Sequence, residues 1–564
     1  MFELSPAIPL FAGAVLAGVA RGPARALVML IAPMLGAYGI SQFEPGITSQ
    51  FEWLGNTLTP IRVDGLAVLF GYLFHLAAFI GVVYALHLKD PLQDVAALAY
   101  AGSAVGAVFA GDLITLFVYW ELLAATSALL VFARRTGDSL RTGMRYLVIQ
   151  VGSGVLLLAG AIIYAAHGNG LDFGHIGLAA PGGWLIFLAF GIKAAFPLLH
   201  GWLTDAYPAA TATGTVFLSA FTTKVAIYAL ARGFAGTEAL IYIGALMTCF
   251  PIFYAVIEND LRRVLAYSLI NQLGFMVVGI GIGTELALNG AVAHAFNDVI
   301  FKGLLMMSMG AVLHVTGEIR GSELGGLYKK MPKTAILCMV GAASISAFPL
   351  FSGFVSKSMV VSAAIREGHT FVWLALLFAS AGVFHHAGIK IPFFAFFAHD
   401  SRFVATAHEP PRNMLVAMAL AALLCIGIGS FPGTLYSLLP YDTGYTPYDV
   451  SHVLAQLQLL AFSALAFTWL KLAHIYPPEL RSVNLDIEWL YRRVAPHAIR
   501  LTLAKLAPID RTLRDRSVML LDRTLRSAAR HYGAYGVFAR AWPTGNMAIW
   551  VAALLGLSLL IYYV

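Results

Sequence analysis

Ionisable residues stand inside the apolar runs of this chain, where burial makes them expensive. Glu121 lies in FVYWELLAA, Lys193 in FGIKAAFPLLHGWLTDAYP and Lys224 in SAFTTKVAIYAL. His294, Asp298 and Lys302 share GAVAHAFNDVIFKGLLMM, Lys357 lies in FPLFSGFVSKSMVVSAA, and Lys390 follows His385 and His386 in FHHAGIKIPFF. Each ionisable group at mid-bilayer costs at least ~2.5–3.5 kcal/mol on insertion scales, so the set would cost on the order of tens. One such charge is readily a satisfied structural one. A series is better explained by a polar axis inside a helix bundle, with the charges facing water or one another.

The residue types suit proton movement. His294, Asp298 and Lys302 are spaced i, i+4, i+8 and stack on one helix face. There a carboxylate between an imidazole and an ammonium can hold both. Burial disfavours the charged form of lysine, and a nearby carboxylate restores it. Changing that carboxylate's partner then switches the lysine between loaded and empty. Glu121 with Lys193 is a candidate pair of this kind.

Two of the elements that must position these residues are expected to be broken. Pro197 follows Lys193 in an apolar span at 183–206, and Pro349 and Gly353 precede Lys357 in a span at 334–366. Discontinuous helices expose backbone groups and half-helix ends at transport sites; the plainer alternative is a proline kink packed against a neighbour. The order also repeats, Lys193 then Lys224 and later Lys357 then Lys390. The two broken spans are five apart among the candidate spans and so run in opposite directions, as an inverted repeat requires.

A helix needs roughly 20 apolar residues to cross the hydrocarbon. Candidate spans fall at about 5–20, 24–41, 64–87, 94–111, 112–132, 142–166, 183–206, 211–233, 237–257, 262–283, 286–315, 334–366, 370–398, 411–432, 451–475 and 545–563, sixteen in all. The composition agrees: 59% of 564 residues are hydrophobic and 12% charged, with mean hydropathy +0.78, against about a quarter charged in soluble domains. Numbered alternately, the loops sort their basic residues to one side. That side receives Arg21, Arg25, Lys89, Arg134, Arg135, Arg141, Arg145, Arg262, Arg263, Lys329, Lys330, Lys333, Arg402 and Arg412. The opposite loops 167–182 and 433–450 have no Lys or Arg, and 42–63 has only Arg62. The positive-inside rule puts the N-terminus outside the cell membrane, and a missed span would scramble the pattern downstream.

Residues 482–543 differ. Arg500, Lys505, Arg511, Arg514, Arg516, Arg523, Arg526 and Arg530 alternate with Leu506, Ile509, Leu513, Leu520 and Leu525 at near-helical spacing. This is an amphipathic segment for the cytoplasmic surface, or a strap against a neighbouring helix or subunit, expected to break at Pro508. A last span follows, with Trp542 and Trp550 as interface anchors. The expected organisation is a transmembrane domain over 1–475 with its repeated core at about 94–400, a surface segment at 476–544 and a final helix at 545–564.

The net charge of +7 is the basic excess of cytoplasmic loops, not a nucleic-acid footprint. Cys249, Cys338 and Cys425 lie far apart in apolar runs without CxxC or CxxCH spacing, which argues against an iron–sulfur, haem or zinc site. No cofactor, metal or catalytic residue is expected. The first apolar stretch ends at Arg21 without a small-x-small site and reads as a retained helix.

At VYWELLA, GIKAAFPLLHGWLTDAYPAAT, TTKVAIYAL, YSLINQLGF, HAFNDVIFKGLLMM and FSGFVSKSM the chain resembles the antiporter-like membrane subunits shared by respiratory complex I, membrane-bound hydrogenases and Mrp-type cation/proton antiporters. The stretches cover roughly 64–400 in the family's order. Gln272, the HAGIKIPFFAFF segment and NLDIEWLYRR look most like the D-type subunit of an Mrp antiporter. The resemblance implies an all-α polytopic fold of fourteen core helices with inverted repeats, to which the last two spans are additions. Carried onto matching positions, it implies a translocation axis of Glu121, Lys193, Lys224, Lys302, Lys357 and Lys390, with His294 between the halves. Asp298 departs from the pattern, standing where many relatives have a second histidine, which favours a charge-compensated or cation-binding site over a plain histidine relay.

The function implied is that of an ion-transporter subunit, not an enzyme, in a multisubunit Na⁺/H⁺ (or K⁺/H⁺) antiporter of the inner membrane. Its partners would be other membrane subunits, H⁺ and Na⁺, and the bilayer. The alternatives are a non-redox proton-pumping subunit of a hydrogenase, formate hydrogenlyase or complex I type oxidoreductase, and an energy-coupling partner of a soluble protein, as in inorganic-carbon uptake.

Overall fold

Apolar runs of helical length, punctuated by acidic capping residues, set the architecture. The computed structural model describes residues 5–53, 55–477, 479–480, 484–533, 536–537 and 543–563, without the side chains of Ile47 and Thr48. Trp542, expected as an interface anchor, lies outside the described residues. The chain divides into two units, Met1–Ile487 and Glu488–Val564.

The first unit opens with α1 (Ile8–Val19) and α2 (Gly22–Ile40). A hairpin of β1 (Gly46–Trp53) and β2 (Asn56–Val63) follows, antiparallel from Gly46↔Val63 to Trp53↔Asn56. Then come α3 (Gly65–Ala85), α4 (Pro91–Phe109), α5 (Leu113–Phe132), α6 (Gly137–Tyr164), α7 (Gly183–Lys193), α8 (Gly201–Ala209), α9 (Gly214–Ala220), α10 (Thr222–Gly233), α11 (Glu238–Ile257), α12 (Leu261–Ile282) and α13 (Glu285–Thr316). The remainder is α14 (Pro332–Ile345), α15 (Ser352–Arg366), α16 (Thr370–Val383), α17 (Lys390–Pro392), α18 (Arg412–Ser430), α19 (Gly433–Tyr436) and α20 (Val450–Leu472). Thirteen helical stretches among the described residues are long and apolar enough to cross a membrane, and the protein is a multi-pass membrane protein. The other three expected spans hold shorter helices: α1, and the pairs α7/α8 and α14/α15.

Side-chain caps fix where these helices begin. Asp64, Asp90, Asp112, Asp260 and Asp449 each accept a backbone N–H of the first turn, and Thr136 and Ser139 cap each other. Such caps contribute about 1 kcal/mol each. Asp112 settles the boundary between α4 and α5, and its second oxygen accepts the Thr59 N–H at 2.8 Å, pinning the hairpin onto α5. Among the described residues the other regular elements are helices.

Helices α10, α12 and α13 form the centre and are buried on nearly every face. Small residues bring α11 and α12 together: a Cβ on Gly244 would lie 2.6 Å from the Val278 nitrogen, and one on Gly274 2.6 Å from the Thr248 nitrogen. Close backbone approach of this kind replaces the missing hydrophobic drive between helices in lipid. Arg262, expected in a basic loop, is instead buried and donates to the carbonyls of Tyr207, Pro208, Ala210 and Thr211, which the end of α8 leaves open.

In the second unit a wide helical turn (Leu490–Val494) leads into α21 (Ala495–Tyr532), and α22 (Thr544–Tyr563) is the last helix. Pro508 does not break α21, contrary to expectation. A proline removes one intrahelical hydrogen bond at about 3 kcal/mol, and the 38-residue helix continues through it.

Candidate functional site: a buried charged axis

The two breaks are built from the same four residues. Ala195-Phe196-Pro197-Leu198 separates α7 from α8, and Ala347-Phe348-Pro349-Leu350 separates α14 from α15. In both, the alanine and the leucine take positive φ: 60° and 70° in the first, 56° and 73° in the second. Left-handed non-glycine residues cost roughly 1–2 kcal/mol each, so each break is held by its surroundings. Lys193 is the last residue of α7, before its break, whereas Lys357 lies in α15, after the second. Lys357 Nζ donates to the freed carbonyl of Ile345 at 3.0 Å and sits 5.0 Å above the Phe275 ring.

Lys193 is fully buried and donates to the Trp120 carbonyl at 2.6 Å, with its ammonium 4.4 Å above the Trp120 ring. Glu121 and Lys193 make no direct ion pair among the described residues, but they lie close enough for their charges to interact. Glu121, the next residue along α5, points to α6, where its carboxylate occupies the space that a Cβ on Gly154 would need.

Asp298 chooses a partner from another helix. Its Oδ2 lies 2.6 Å from Lys224 Nζ, and both side chains are fully enclosed. The i, i+4, i+8 spacing does place His294, Asp298 and Lys302 on α13 as expected, but the carboxylate does not bridge its own neighbours. Lys302 Nζ donates to Ser268 Oγ on α12 at 2.8 Å. His294 contacts Ser356 Oγ through Nδ1 and Gln272 Oε1 through Nε2, both at 3.0 Å. Ser356 directly precedes Lys357, so the imidazole links α12 to the second broken helix. Asp298 Oδ1 has no hydrogen-bond partner among the described residues, leaving an acceptor open inside the axis.

Lys390 directly follows a wide-turn stretch, Phe384–Ile389, of a kind often found at functional sites. Its Nζ donates to the carbonyls of Val256 at 2.6 Å, Glu258 at 2.7 Å and Ala255 at 3.2 Å, and pairs with Glu479 Oε1 at 2.9 Å. His386 beside it is fully buried.

A cavity of about 410 Å³ opens beside Lys357, lined by Ser362, Ser380, His452 and Gln456. Ser362 Oγ lies 3.2 Å from His452 Nε2, and His452 Nδ1 lies 2.6 Å from the half-exposed Asp449. Polar side chains thus face a largely apolar cavity between α15 and the start of α20. The ammonium, carboxylate and imidazole groups can accept and release protons, and the hydroxyl and carboxamide groups beside them can hydrogen-bond to water or to one another.

Sequence reasoning does not find Glu479, Ser268, Ser356 or Trp120. Ser268 and Gln272 share a helix face in YSLINQLGF, a signal that could have found the serine; Glu479 sits in a polar loop with no pattern to mark it.

Residues 110–383 match the family described as NADH:quinone oxidoreductase/Mrp antiporter, TM. The D-type subunit of the Na(+)/H(+) antiporter of Alkalihalophilus pseudofirmus is 30% identical over 421 residues, covering 69% of this chain and 85% of the relative. The chain belongs to the NADH:quinone oxidoreductase/Mrp antiporter family. Hydrogenase-4 component B of Escherichia coli is 27% identical over 434 residues, 69% of this chain and 63% of its own length. A solved structure of the Mrp complex from Dietzia sp. shares the fold, with a TM-score of 0.78 at 24% identity over 93% of this chain and 62% of the matched one. The chain spans less than two thirds of several curated relatives, down to 41% of one. The family match contains every residue of the axis from Glu121 to Lys357 and stops short of Lys390 and Glu479.

Proposed function

We propose that this chain is the proton- and cation-translocating membrane subunit of a multisubunit Na⁺/H⁺ antiporter, and not a catalytic enzyme. The observation that carries the reading is the enclosed Lys224–Asp298 pair, flanked by lysines on two broken helices and joined to the second by His294 and Ser356. Burying this many charges is costly, and ionisable residues inside a membrane mark ion or proton pathways as the default reading. Glu121, Lys193, Lys224, His294, Asp298, Lys302, Lys357 and Lys390 are its proposed members, with Na⁺ as coupling ion and K⁺ as the variant. The chain works in the inner membrane with its N-terminus outside, among other membrane subunits. The name of the 30% identical relative supports the antiporter assignment.

The test is exchange in inverted membrane vesicles from an antiporter-deficient host carrying the complete complex. Lys193→Ala and Lys357→Ala are expected to abolish Na⁺-driven proton movement while the complex still assembles. Unimpaired exchange in either variant overturns the relay.

A second reading has its own support, since hydrogenase-4 component B matches over 434 residues. In that case the same axis pumps protons inside an oxidoreductase complex. Purification from native membranes discriminates: co-isolation of iron–sulfur subunits favours this reading, and small membrane subunits alone favour the antiporter.

A further inference from the structure

Three described residues that follow α20 in the chain contact the helix bundle. Glu479 reaches Lys390 at 2.9 Å. Asn484 donates to Glu258 Oε2 at 3.2 Å. Asp486 goes deepest: its carboxylate accepts from Tyr267 of α12 at 2.6 Å and from the Ile487 backbone N–H at 2.6 Å, and lies 3.2 Å from His200 Nε2 through both oxygens. The side chains of His200 and Asp486 are each only 4% exposed. Asn484 and Asp486 belong to NLDIEWLYRR, a stretch to which the axis gives no role.

His200 closes the linker of the first break, seven residues after Lys193 and directly before α8. Its ring packs against Phe250 at 4.7 Å between centroids. With Nε2 facing a carboxylate, the neutral ring carries its proton there. Nδ1 is then the basic nitrogen, and it is buried without a hydrogen-bond partner among the described residues. A carboxylate that fixes the tautomer and steadies the imidazolium is the arrangement by which histidine becomes a proton carrier.

We propose that Asp486 acts as a positioning residue, fixing His200 as a proton carrier at the first broken helix. The role as a carrier rests on the antiporter reading; the fixing of the imidazole does not. Burial alone would push the Asp486 carboxyl up, but the bonds from His200 and Tyr267 outweigh it and hold the group below its ordinary value. It therefore remains the anion that the arrangement needs. Nearby in the chain, Glu479 pairs with Lys390 of α17 and Asn484 donates to Glu258 just past the end of α11.

The test uses the complete complex in lipid nanodiscs and vesicles, with ¹⁵N-histidine labelling and His200→Gln to assign the signal. In the wild type, His200 should show the Nε2-protonated tautomer. Asp486→Asn should shift it toward the other tautomer and lower exchange at least tenfold with the complex still assembled, and Asp486→Glu should restore much of both. An unchanged His200 signal in Asp486→Asn overturns the proposal, as does wild-type exchange in that variant. If Asp486→Asn fails to assemble, Asp486→Glu decides: loss of the Nε2 tautomer or of exchange in that assembled variant overturns it as well. If the wild type itself shows no exchange, the antiporter reading falls, and the tautomer measurement alone decides whether Asp486 positions the ring.

Discussion

Lys224 Nζ and Asp298 Oδ2 lie 2.6 Å apart in a place that neither side chain shares with solvent. The pair joins α10 to α13 at the centre of the bundle, and the remaining groups of the axis are arranged around it.

Removing one member leaves the other as a stranded charge, which costs about 3–5 kcal/mol. Asp298→Ala is expected to lower thermal stability in detergent by that amount. The double variant Lys224→Met with Asp298→Leu should recover most of the stability while exchange stays lost. Thermal melts beside vesicle assays separate the two effects, and recovered exchange in the double variant would remove the pair from the pathway.

Gly154 leaves room for Glu121. Alanine in a helix interior is favoured over glycine by about 0.8–1.0 kcal/mol, and the flexible end of Glu121 can move aside. Gly154→Ala should therefore keep or raise stability and reduce the exchange rate by displacing the carboxylate. Gly353 behaves differently, because a Cβ there would run into the Ser344 carbonyl, which is backbone and has no such freedom. Gly353→Ala should force α15 from α14, carry Lys357 away from Ile345 and lower both the melting temperature and the yield of assembled complex.

The strained breaks respond to glycine. Ala347 has φ 56°; Ala347→Gly should hold or raise the melting temperature, whereas Ala347→Val, branched at Cβ, should lower stability by about 1–3 kcal/mol. A destabilised glycine variant would show that the alanine methyl group matters more than the backbone conformation.

Outside the spans, Arg320 and the neighbouring backbone N–H groups hold the Glu318 carboxyl down at about 2. A carboxyl lowered in the folded state stabilises above its unfolded value, about 4.3. That contribution fades as pH falls from about 4 toward 2. The acid-side fall in melting temperature should be shallower in Glu318→Gln than in the wild type.

Much of this is legible in the chain. Helix positions follow from apolar runs and capping residues, and both breaks from a proline beside a lysine. Pairings across helices do not. Asp298 has His294 and Lys302 on its own face, and only packing brings Lys224 closer. The alternation in 46–63 is hidden in a loop between two strong helical signals. Asp486 is one carboxylate in a polar stretch, and its contacts with His200 and Tyr267 come from tertiary packing that local sequence does not encode. Pro508 misleads because a proline's cost, taken alone, leaves out the long helix on either side.

Lys390 sits at a helix end, as Lys357 does at the freed carbonyl of Ile345. The carbonyls of Ala255, Val256 and Glu258 close the end of α11, where the helix dipole is negative and the last acceptors have no intrahelical donor. Its ammonium fills that place, so a proton leaving Lys390 would loosen a helix terminus as well as neutralise a charge. If Lys390 carries a proton as proposed, its protonation is tied to the integrity of this helix end.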